Sequence, residues 1–453
     1  MKLTAALFGN TYSFKDLKEV MAKANEEKSG DQLAGIAAAD AKERMAAKLV
    51  LSDLTLADIR NHPLIPPETD EVSRVIEEAV NEKIYAEIRN WTVAELREHL
   101  LRQDTHNEEI RRISRGLTSE MVAAVTKLMS NLDLVQAAAK IEVTTHCNIT
   151  IGQRGVLAGR AQPNHPTDSI RGMKASLFEA LSYGIGDAVL GINPVIDSAE
   201  SVKAMLIATK EEMEKWRIPT QNCVLAHIKT QMRAIRQGAP ADLVFQSLAG
   251  TQDGNTAFGI DVKLLDEADD MIRREGTGTG PNLWYFETGQ GSELSSEAHH
   301  GVDQVTLESR CYGLAKKYKP FIVNTVVGFI GPEYLYDSKQ VIRAGLEDHF
   351  MGKLQQVPMG VDVCYTNHMK ADQNDMDNLA VLLAAAGVNY IIGVPMADDC
   401  MLNYQSTSYH DIATLRETMR LRPAPAFEKW LEMMGIMENG RLTPIAGDPS
   451  IFM

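Results

Sequence analysis

The sequence is poor in the residue patterns that bind metals or form disulfides. Five cysteines occur in 453 residues, and no two of them stand at C-x-x-C spacing. An odd number of scattered cysteines predicts free thiols in a reducing cytoplasm rather than a disulfide framework or a zinc ribbon. The eleven histidines form neither an H-x-H nor an H-E-x-x-H pattern. A catalytic zinc centre is therefore not expected, and no metal ligands are predicted.

Long apolar runs and an excess of basic residues are also missing. No stretch approaches the about 18 unbroken apolar residues that a membrane span requires, and the first residues do not form a convincing signal peptide. The 61 acidic residues outnumber the 46 basic ones and give a formal net charge of −15, whereas nucleic-acid binding needs clustered Lys and Arg. From these absences we predict no membrane partner and no nucleic-acid partner. A neutral or cationic ligand matches the net charge better.

The pattern of apolar residues divides the chain into two parts. The first is helical, and in the second short apolar runs alternate with helices. We predict a helical domain over residues 1–110, a helical lead-in over 111–150 and a catalytic barrel with a C-terminal helical extension over 151–453. The first ten residues are interpreted as a short buried segment. Apolar residues at helical spacing predict a single helix over 72–88, and another over 119–140.

Eight short apolar runs mark the second part. Most of them are too short for helices, and several lack the alternation of half-solvated strands, as expected of strands buried on both faces. The runs are Gly155–Gly159, Ala188–Ile192, Cys223–Ala226, Leu243–Phe245, Leu283–Phe286, Phe321–Val327, Val357–Val361 and Tyr390–Val394. An open doubly wound sheet is the alternative, but no G-x-G-x-x-G stands between a strand and a helix. The pattern predicts an α/β fold, a (β/α)8 TIM barrel with an N-terminal helical domain.

In such a barrel the working residues lie at the C-terminal ends of the strands. Five polar side chains there are expected to converge on one mouth: Arg160, Gln162, Asn193, Glu287 and Asp362. The two carboxylates suit an ammonium group, and the guanidinium and amides suit a hydroxyl. His227 stands alone after the third strand, and we interpret it as structural.

The same strand ends lack reactive groups. No Ser–His–Asp arrangement and no Lys occurs among them, so neither acyl transfer nor a Schiff base is supported. A site that binds well but reacts poorly indicates a cofactor that carries the difficult step. Two alternatives stay open: a cofactor-independent barrel lyase or aldolase that uses Glu287 as a general base, and a non-catalytic scaffold subunit.

Longer segments at these strand ends resemble the large (catalytic) subunit of ethanolamine ammonia-lyase, a family of adenosylcobalamin-dependent carbon–nitrogen lyases. The segments are 159–163 (GRAQP), 190–194 (LGINP), 284–291 (WYFETGQG), 359–368 (MGVDVCYTNH) and 393–399 (GVPMADD), and the resemblance extends along the whole chain. It implies a radical conversion of ethanolamine to acetaldehyde and ammonia. The substrate would be bound by Arg160, Gln162, Asn193, Glu287 and Asp362, with Arg160, Glu287 and Asp362 as the catalytic residues.

The resemblance also implies a cofactor site and protein partners. The corrin contacts would be Pro194, Gln246, Ser295 and Met401, with Ser247, Phe258, Phe329 and Leu402 as neighbours. The cofactor would be base-on, since the D-x-H-x-x-G pattern of base-off enzymes is absent: Asp348 and His349 are adjacent. A separate small subunit would complete the site, and the large subunits would associate with one another within a larger hetero-oligomer. The location would be the cytoplasm, or a bacterial microcompartment within it.

Overall fold

The structure is a computed structural model that describes residues 1–328, 330–400 and 404–453. A hairpin opens the chain, a layer of short helices follows, and a second small hairpin leads into the barrel. These elements are β1 Thr4–Leu7, β2 Asn10–Ser13, α1 Leu17–Ala24, α2 Ser29–Leu33, α3 Ala41–Asp53, α4 Leu56–Asn61, α5 Glu71–Glu78, α6 Glu82–Ile88, α7 Val93–Leu101, α8 Asn107–Ser114, α9 Ser119–Lys127, α10 Asn131–Ala139, β3 Thr145–His146 and β4 Thr150–Ile151.

Three predictions for this first part are wrong. The first ten residues do not form a buried segment, because β1 and β2 pair as an antiparallel hairpin that is largely exposed. The helix predicted over 72–88 is two helices, since the side chain of Asn81 caps a new one, α6. The helix predicted over 119–140 is likewise two, because Ser130 opens a capping box at the start of α10. In both cases a capping residue inside the pattern ends the continuous helix.

The second part alternates strands and helices. Its elements are β5 Ala158–Ala161, α11 Ile170–Ser182, β6 Val189–Ile192, α12 Ala199–Trp216, β7 Asn222–Val224, α13 Ile228–Arg236, β8 Val244–Ser247, α14 Gln252–Ala257, α15 Val262–Glu275, β9 Trp284–Thr288, α16 Ser292–Ser295, α17 Gln304–Ala315, β10 Ile322–Val326, α18 Ser338–Leu354, β11 Met359–Asp362, β12 Tyr365–Thr366, α19 Gln373–Ala385, β13 Tyr390–Val394, β14 Tyr404–Gln405, β15 Thr407–Ser408, α20 Tyr409–Met419, α21 Pro425–Met433, β16 Met437–Glu438 and β17 Arg441–Leu442. Two small antiparallel sheets, β12–β14 and β16–β17, accompany the barrel.

Eight parallel strands form the barrel wall in the order β7-β6-β5-β13-β11-β10-β9-β8. The strands are buried almost throughout, and helices surround them. This arrangement confirms the predicted α/β TIM barrel. In the part of the chain that the structure describes, each helix is too short or too polar to cross a bilayer.

The wall closes between β7 and β8 without a regular ladder. The Leu243 N–H donates to the Asn222 carbonyl oxygen (3.2 Å). Side chains supply the other bonds: the Asn222 N–H donates to Asp242 Oδ2 (3.1 Å), and the Asp242 N–H donates to Asn222 Oδ1 (3.0 Å). The Gln231 side chain also bridges the chain just after β7 to the backbone of Phe245 on β8, so the seam is held mainly by side chains.

Several strands end later than the apolar runs suggested. β5 spans Ala158–Ala161 rather than Gly155–Gly159, and β9 and β11 extend through Glu287 and Asp362. A polar residue near the C-terminal end of a barrel strand keeps its backbone in the hydrogen-bonded ladder, and its side chain faces the mouth of the barrel. Arg160, Glu287 and Asp362 thus lie on rigid strands rather than on loops.

Among the contacts that join the helical first part to the barrel is one buried guanidinium, that of Arg310. Arg310 on α17 donates to Asp70, which caps α5, at 2.9 Å, and to Glu120 on α9 at 2.5 Å. Its Nε donates to the Gly250 carbonyl in the loop after β8 (2.8 Å). The loop beyond β8 is therefore held by the N-terminal helices as well as by the barrel.

Candidate active site

Arg160 lies at the C-terminal end of β5, and its side chain is buried. Nη1 donates to the Tyr285 hydroxyl (2.7 Å), and Nη2 donates to Asn193 Oδ1 (2.8 Å). Its Nε has no hydrogen-bond partner within the described residues. Gly191 on β6 makes room for this geometry, because a Cβ there would lie 2.7 Å from Nε. The guanidinium is thus fixed from two sides beside Asn193.

Glu287 lies at the end of β9, between Ser247 and Asn324 on the neighbouring strands. The Asn324 amide donates to Glu287 Oε1 (3.0 Å). Burial raises the pKa of the Glu287 carboxyl above its usual value, although Arg160 and Asn324 act in the opposite direction. No Lys, Arg or His within the described ranges forms an ion pair with this carboxyl. The carboxylate has one neutral amide donor and no cation of its own.

Asp362 ends β11 and is buried. The Ser406 hydroxyl makes a short hydrogen bond to its Oδ1. Burial raises the pKa of Asp362 to about 7, while Ser406 and Arg160 act to lower it and Glu287 acts to raise it. Again, no basic side chain of the described segments pairs with it. Two carboxylates in one mouth without a basic partner form a site suited to a small cation.

Gln162 follows β5 and is 1% exposed. Its Nε2 donates to Asp399 Oδ2 (2.6 Å) and to the Tyr404 hydroxyl (3.2 Å). The Asn164 amide donates to the same Asp399 oxygen (3.2 Å), and its own Oδ1 accepts from the Asn193 N–H (2.8 Å). One carboxylate after β13 therefore connects the ends of β5 and β6.

A family model described as Ethanolamine ammonia lyase large subunit (EutB) matches residues 12–445, nearly the whole chain. The chain belongs to the ethanolamine ammonia-lyase large-subunit family. Ethanolamine ammonia-lyase large subunit from Escherichia coli strain K12 is 56% identical over 452 residues, covering 100% of both chains. The protein of that name from Salmonella typhimurium strain LT2 is equally similar, at 56% over 452 residues and 100% of both chains.

Similarity to solved structures is much lower. A type I 3-dehydroquinate dehydratase from Clostridium difficile has a TM-score of 0.38 and 11% identity, over 62% of this chain and 98% of that chain. This likeness is too weak to carry a conclusion about the chain.

Two of the residues that the family resemblance assigned to the corrin, Gln246 and Pro194, lie on β8 and directly after β6. Gln246 is buried at the end of β8; its Oε1 accepts from the Ile228 N–H (3.0 Å) and its Nε2 donates to the Ser247 carbonyl (3.1 Å). Pro194 follows β6 and is half-buried. Gln246 therefore offers a fixed surface rather than a free amide.

The other corrin candidates belong to nearby loops. Ser295 ends α16, and its hydroxyl donates to the Ser292 carbonyl (2.8 Å). Phe258 is the C-cap of α14, and its carbonyl lies 3.0 Å from His227 Nε2. His227 Nδ1 accepts from the Lys229 N–H (3.2 Å), so both ring nitrogens are used structurally. The remaining three candidates, Phe329, Met401 and Leu402, lie outside the described residues.

Exposed apolar side chains lie on two of the loops that follow barrel strands. Val195 and Ile196, after β6, are 50% and 59% exposed, and Met396, after β13, is 83% exposed. Large apolar groups clustered at a barrel mouth are typical of a surface that a ligand or partner covers. The set present here fits the face of a corrin ring, which is broad and largely apolar.

A second group of carboxyls lies behind the site, outside the barrel wall. Asp348 on α18 accepts from Gln290 Nε2 (2.6 Å) and from the Thr325 hydroxyl (2.9 Å). Glu308 on α17 makes a short hydrogen bond with Thr288. Burial raises the pKa of Asp348 to about 7. Because Thr288 and Thr325 follow Glu287 and Asn324 in sequence, these carboxyls brace the outer faces of β9 and β10.

Sequence reasoning missed four groups that shape the site: Tyr285, Asn324, Asp399 and Ser406. Asn324 had a usable signal, because it is an amide in the middle of the apolar run Phe321–Val327. Asp399 lies in the loop after the last barrel strand, but an acidic residue in a loop has no distinctive pattern. The partnerships of Tyr285 and Ser406 depend on which strands are neighbours, which the family's linear motifs do not state.

Proposed function

We propose that this chain is the catalytic large subunit of an ethanolamine ammonia-lyase, which converts ethanolamine to acetaldehyde and ammonia with adenosylcobalamin. The observation that carries the proposal is the pair of carboxylates, Glu287 and Asp362, which share one barrel mouth with Arg160 and have no basic ion-pair partner in the described part of the chain. Membership of the large-subunit family supports the same activity.

Asp362, Glu287 and Gln162 would bind the ammonium group. The sequence assigned Gln162 to the hydroxyl, but its Nε2 bonds Asp399 and Tyr404, so its oxygen is the atom proposed to meet the substrate. An ammonium donates three hydrogen bonds and accepts none, so it needs several oxygens around it. The substrate's charge compensates two carboxylates that are otherwise buried with neutral donors, and such compensation offsets their desolvation. As nitrogen migrates between the two carbons, Glu287 and Asp362 hold the charge from both sides of its path.

Arg160 and Asn193 would bind the substrate hydroxyl. The Arg160 fork donates to Asn193 Oδ1 at 2.8 Å, which leaves the Asn193 amide hydrogens directed away from the guanidinium. A hydroxyl oxygen can accept from these donors while its proton is directed to Glu287. This arrangement orients the carbinol carbon and makes Arg160, Glu287 and Asp362 the catalytic residues.

The cofactor would be held over the mouth by Pro194, Gln246, Ser247, Phe258, Ser295, Phe329, Met401 and Leu402. When bound, adenosylcobalamin supplies the carbon radical that takes a hydrogen atom from the substrate and later returns it. The chain's contribution is to bind and orient the substrate and to exclude water from the mouth. We further propose that the cofactor stays base-on.

The exposed apolar rim at Val195, Ile196 and Met396 supports a covering partner as well as a cofactor. We propose that a small subunit completes the cobalamin site and that large subunits associate within a larger hetero-oligomer. The complex would lie in the cytoplasm or in a bacterial microcompartment there.

The deciding experiment mixes the purified chain, the small subunit, adenosylcobalamin and ethanolamine, and measures acetaldehyde. Turnover only in the complete mixture is expected. Equal turnover without cofactor would favour a cofactor-independent lyase, and no turnover in any mixture would favour a scaffold. A cobalamin titration with and without the small subunit tests the shared site: tight binding by the chain alone would contradict it.

A further inference from the structure

Asp399 is a buried carboxylate that is bonded to the substrate residues and has no assigned role. It is 6% exposed and lies in the loop after β13, beyond a short 3-10 turn at Pro395–Ala397. It accepts from the Gln162 amide at 2.6 Å and from the Asn164 amide at 3.2 Å, both through Oδ2. We propose that Asp399 is a specificity-determining residue that orients the Gln162 amide so that its carbonyl oxygen faces the substrate's ammonium group. This inference rests on the proposed function of the same site.

The chemistry of the donors fixes the orientation of the amide. An ionised carboxylate accepts hydrogen bonds and donates none, so Gln162 must present its NH2 group to Asp399. The Tyr404 hydroxyl, at 3.2 Å, is a second partner on the same nitrogen. Since an amide is planar, its oxygen is directed away from both. Gln162 Oε1 receives no hydrogen bond from the described residues, so it is available to a ligand.

Asp399 also positions Asn193 through a shared intermediate. The Asn164 amide donates to Asp399, and Asn164 Oδ1 accepts the backbone N–H of Asn193 at 2.8 Å. Asn193 in turn accepts from Arg160 (2.8 Å). Asp399 therefore acts on the site through its neighbours rather than by touching substrate, which makes it a positioning residue.

The fixed amide explains a choice between two small ligands of similar size. An ammonium group only donates, so it needs an oxygen opposite it, whereas a hydroxyl can accept from an NH2 group. With Asp399 in place, the Gln162 oxygen accepts a charge-assisted hydrogen bond from an ammonium group, whereas an alcohol at this end of the substrate offers only a neutral donor. With Asn at position 399, the Gln162 amide can turn over, because Asn offers both a donor and an acceptor. A ligand that cannot pair with the Gln162 amide leaves a buried polar group without a hydrogen bond, and this cost discriminates strongly between ligands.

The test measures two ligands that each keep one end of ethanolamine: ethylamine has the ammonium, and ethane-1,2-diol has two hydroxyls. Calorimetry on the complex of chain, small subunit and cobalamin gives their dissociation constants without requiring turnover. Asp399→Asn is expected to weaken the binding of ethylamine by roughly ten-fold and to weaken the binding of ethane-1,2-diol much less, because an Asn at position 399 can still accept from Asn164 and so hold Asn193. In turnover, KM for ethanolamine should rise more than kcat falls.

The matched control is Asp398→Asn, because Asp398 is exposed and its carboxylate bonds Gln405 rather than a substrate residue (3.1 Å). The control should behave as wild type for both ligands. Equal weakening of both ligands in Asp399→Asn would mean a merely structural role and overturn the inference. If that variant does not fold, Asp399→Glu decides: it retains the acceptor, so the wild-type preference for ethylamine must persist, and its loss would overturn the inference. Failure of wild type to release acetaldehyde, with the ligand preference intact, would instead count against the proposed function.

Discussion

The pKa of Asp362 makes substrate capture dependent on pH near neutrality. Burial raises that pKa to about 7, and the described structure gives the carboxylate no basic ion-pair partner. In the proposed site a cation binds the ionised form, so a proton and ethanolamine would compete for the same carboxyl. With a pKa of about 7, roughly one-tenth of the carboxyl is ionised at pH 6 and roughly one-hundredth at pH 5. The value of kcat/KM should therefore fall about ten-fold per pH unit below 7.

The assay is kcat/KM for ethanolamine between pH 5.5 and 8.5, measured by acetaldehyde release in the complete complex. Cobalamin binding is measured at each pH, so that loss of cofactor is not mistaken for loss of substrate. Asp362→Asn cannot ionise, and it should show low activity without the step near pH 7. A flat wild-type profile across this range, or an unchanged step in Asp362→Asn, would refute the reasoning.

The remaining predictions concern four other residues. Glu287→Gln should raise KM roughly ten- to hundred-fold, since a charge-assisted hydrogen bond contributes about 1.5–3 kcal/mol, and lower kcat; unchanged kcat would make Glu287 a binding group only. Arg160→Lys should lose turnover with an unchanged unfolding midpoint; normal turnover would show that Arg160 does not belong to the substrate site. Gly191→Ala should displace the Arg160 guanidinium and lower turnover by on the order of a hundred-fold; full activity would contradict the close contact between Gly191 and Arg160. In Asp348→Asn, the unfolding midpoint in thermal melts should vary less with pH than in the wild type; an equal variation would contradict this.

The sign of the Asp348 effect follows from proton linkage. Its pKa in the folded chain is about 7, against a usual value of 3.8. A raised carboxyl pKa contributes stability that is fully present below the unfolded value and is lost as pH rises through about 7. The unfolding midpoint of the wild type should therefore be lower at pH 8 than at pH 5.5, and the difference should shrink in Asp348→Asn.

The sequence predicted the barrel because each strand carries its own signal, a short apolar run followed by a polar residue. The same logic brought Arg160 and Asn193 to one mouth, and the structure places their side chains 2.8 Å apart. The roles of these residues in catalysis stay predictions. Helix breaks at Asn81 and Ser130 were missed because apolar periodicity continues across them, while the local cap decides the backbone.

Contacts between distant segments could not be predicted in the same way. The hydrogen bond from Ser406 to Asp362 joins residues 44 positions apart, and that from Gln162 to Asp399 joins residues 237 apart. Both depend on β13 lying between β5 and β11 when the barrel closes. Linear spacing carries no signal for such pairs, because many loop residues follow each strand and packing selects among them.

The seam between β7 and β8 is the place in the described barrel wall where neighbouring strands are joined mainly by side chains. Gln246 and Ser247 on β8, and Pro194 after β6, lie beside this seam, whereas Asp362 on β11 lies on the far side of the wall. Because side chains change rotamer more easily than a ladder shifts its register, we expect this part of the edge proposed for the bulky cofactor to adjust when a ligand binds. Asp362, proposed for the small ammonium group, lies on a strand with a ladder on each side, which holds its position.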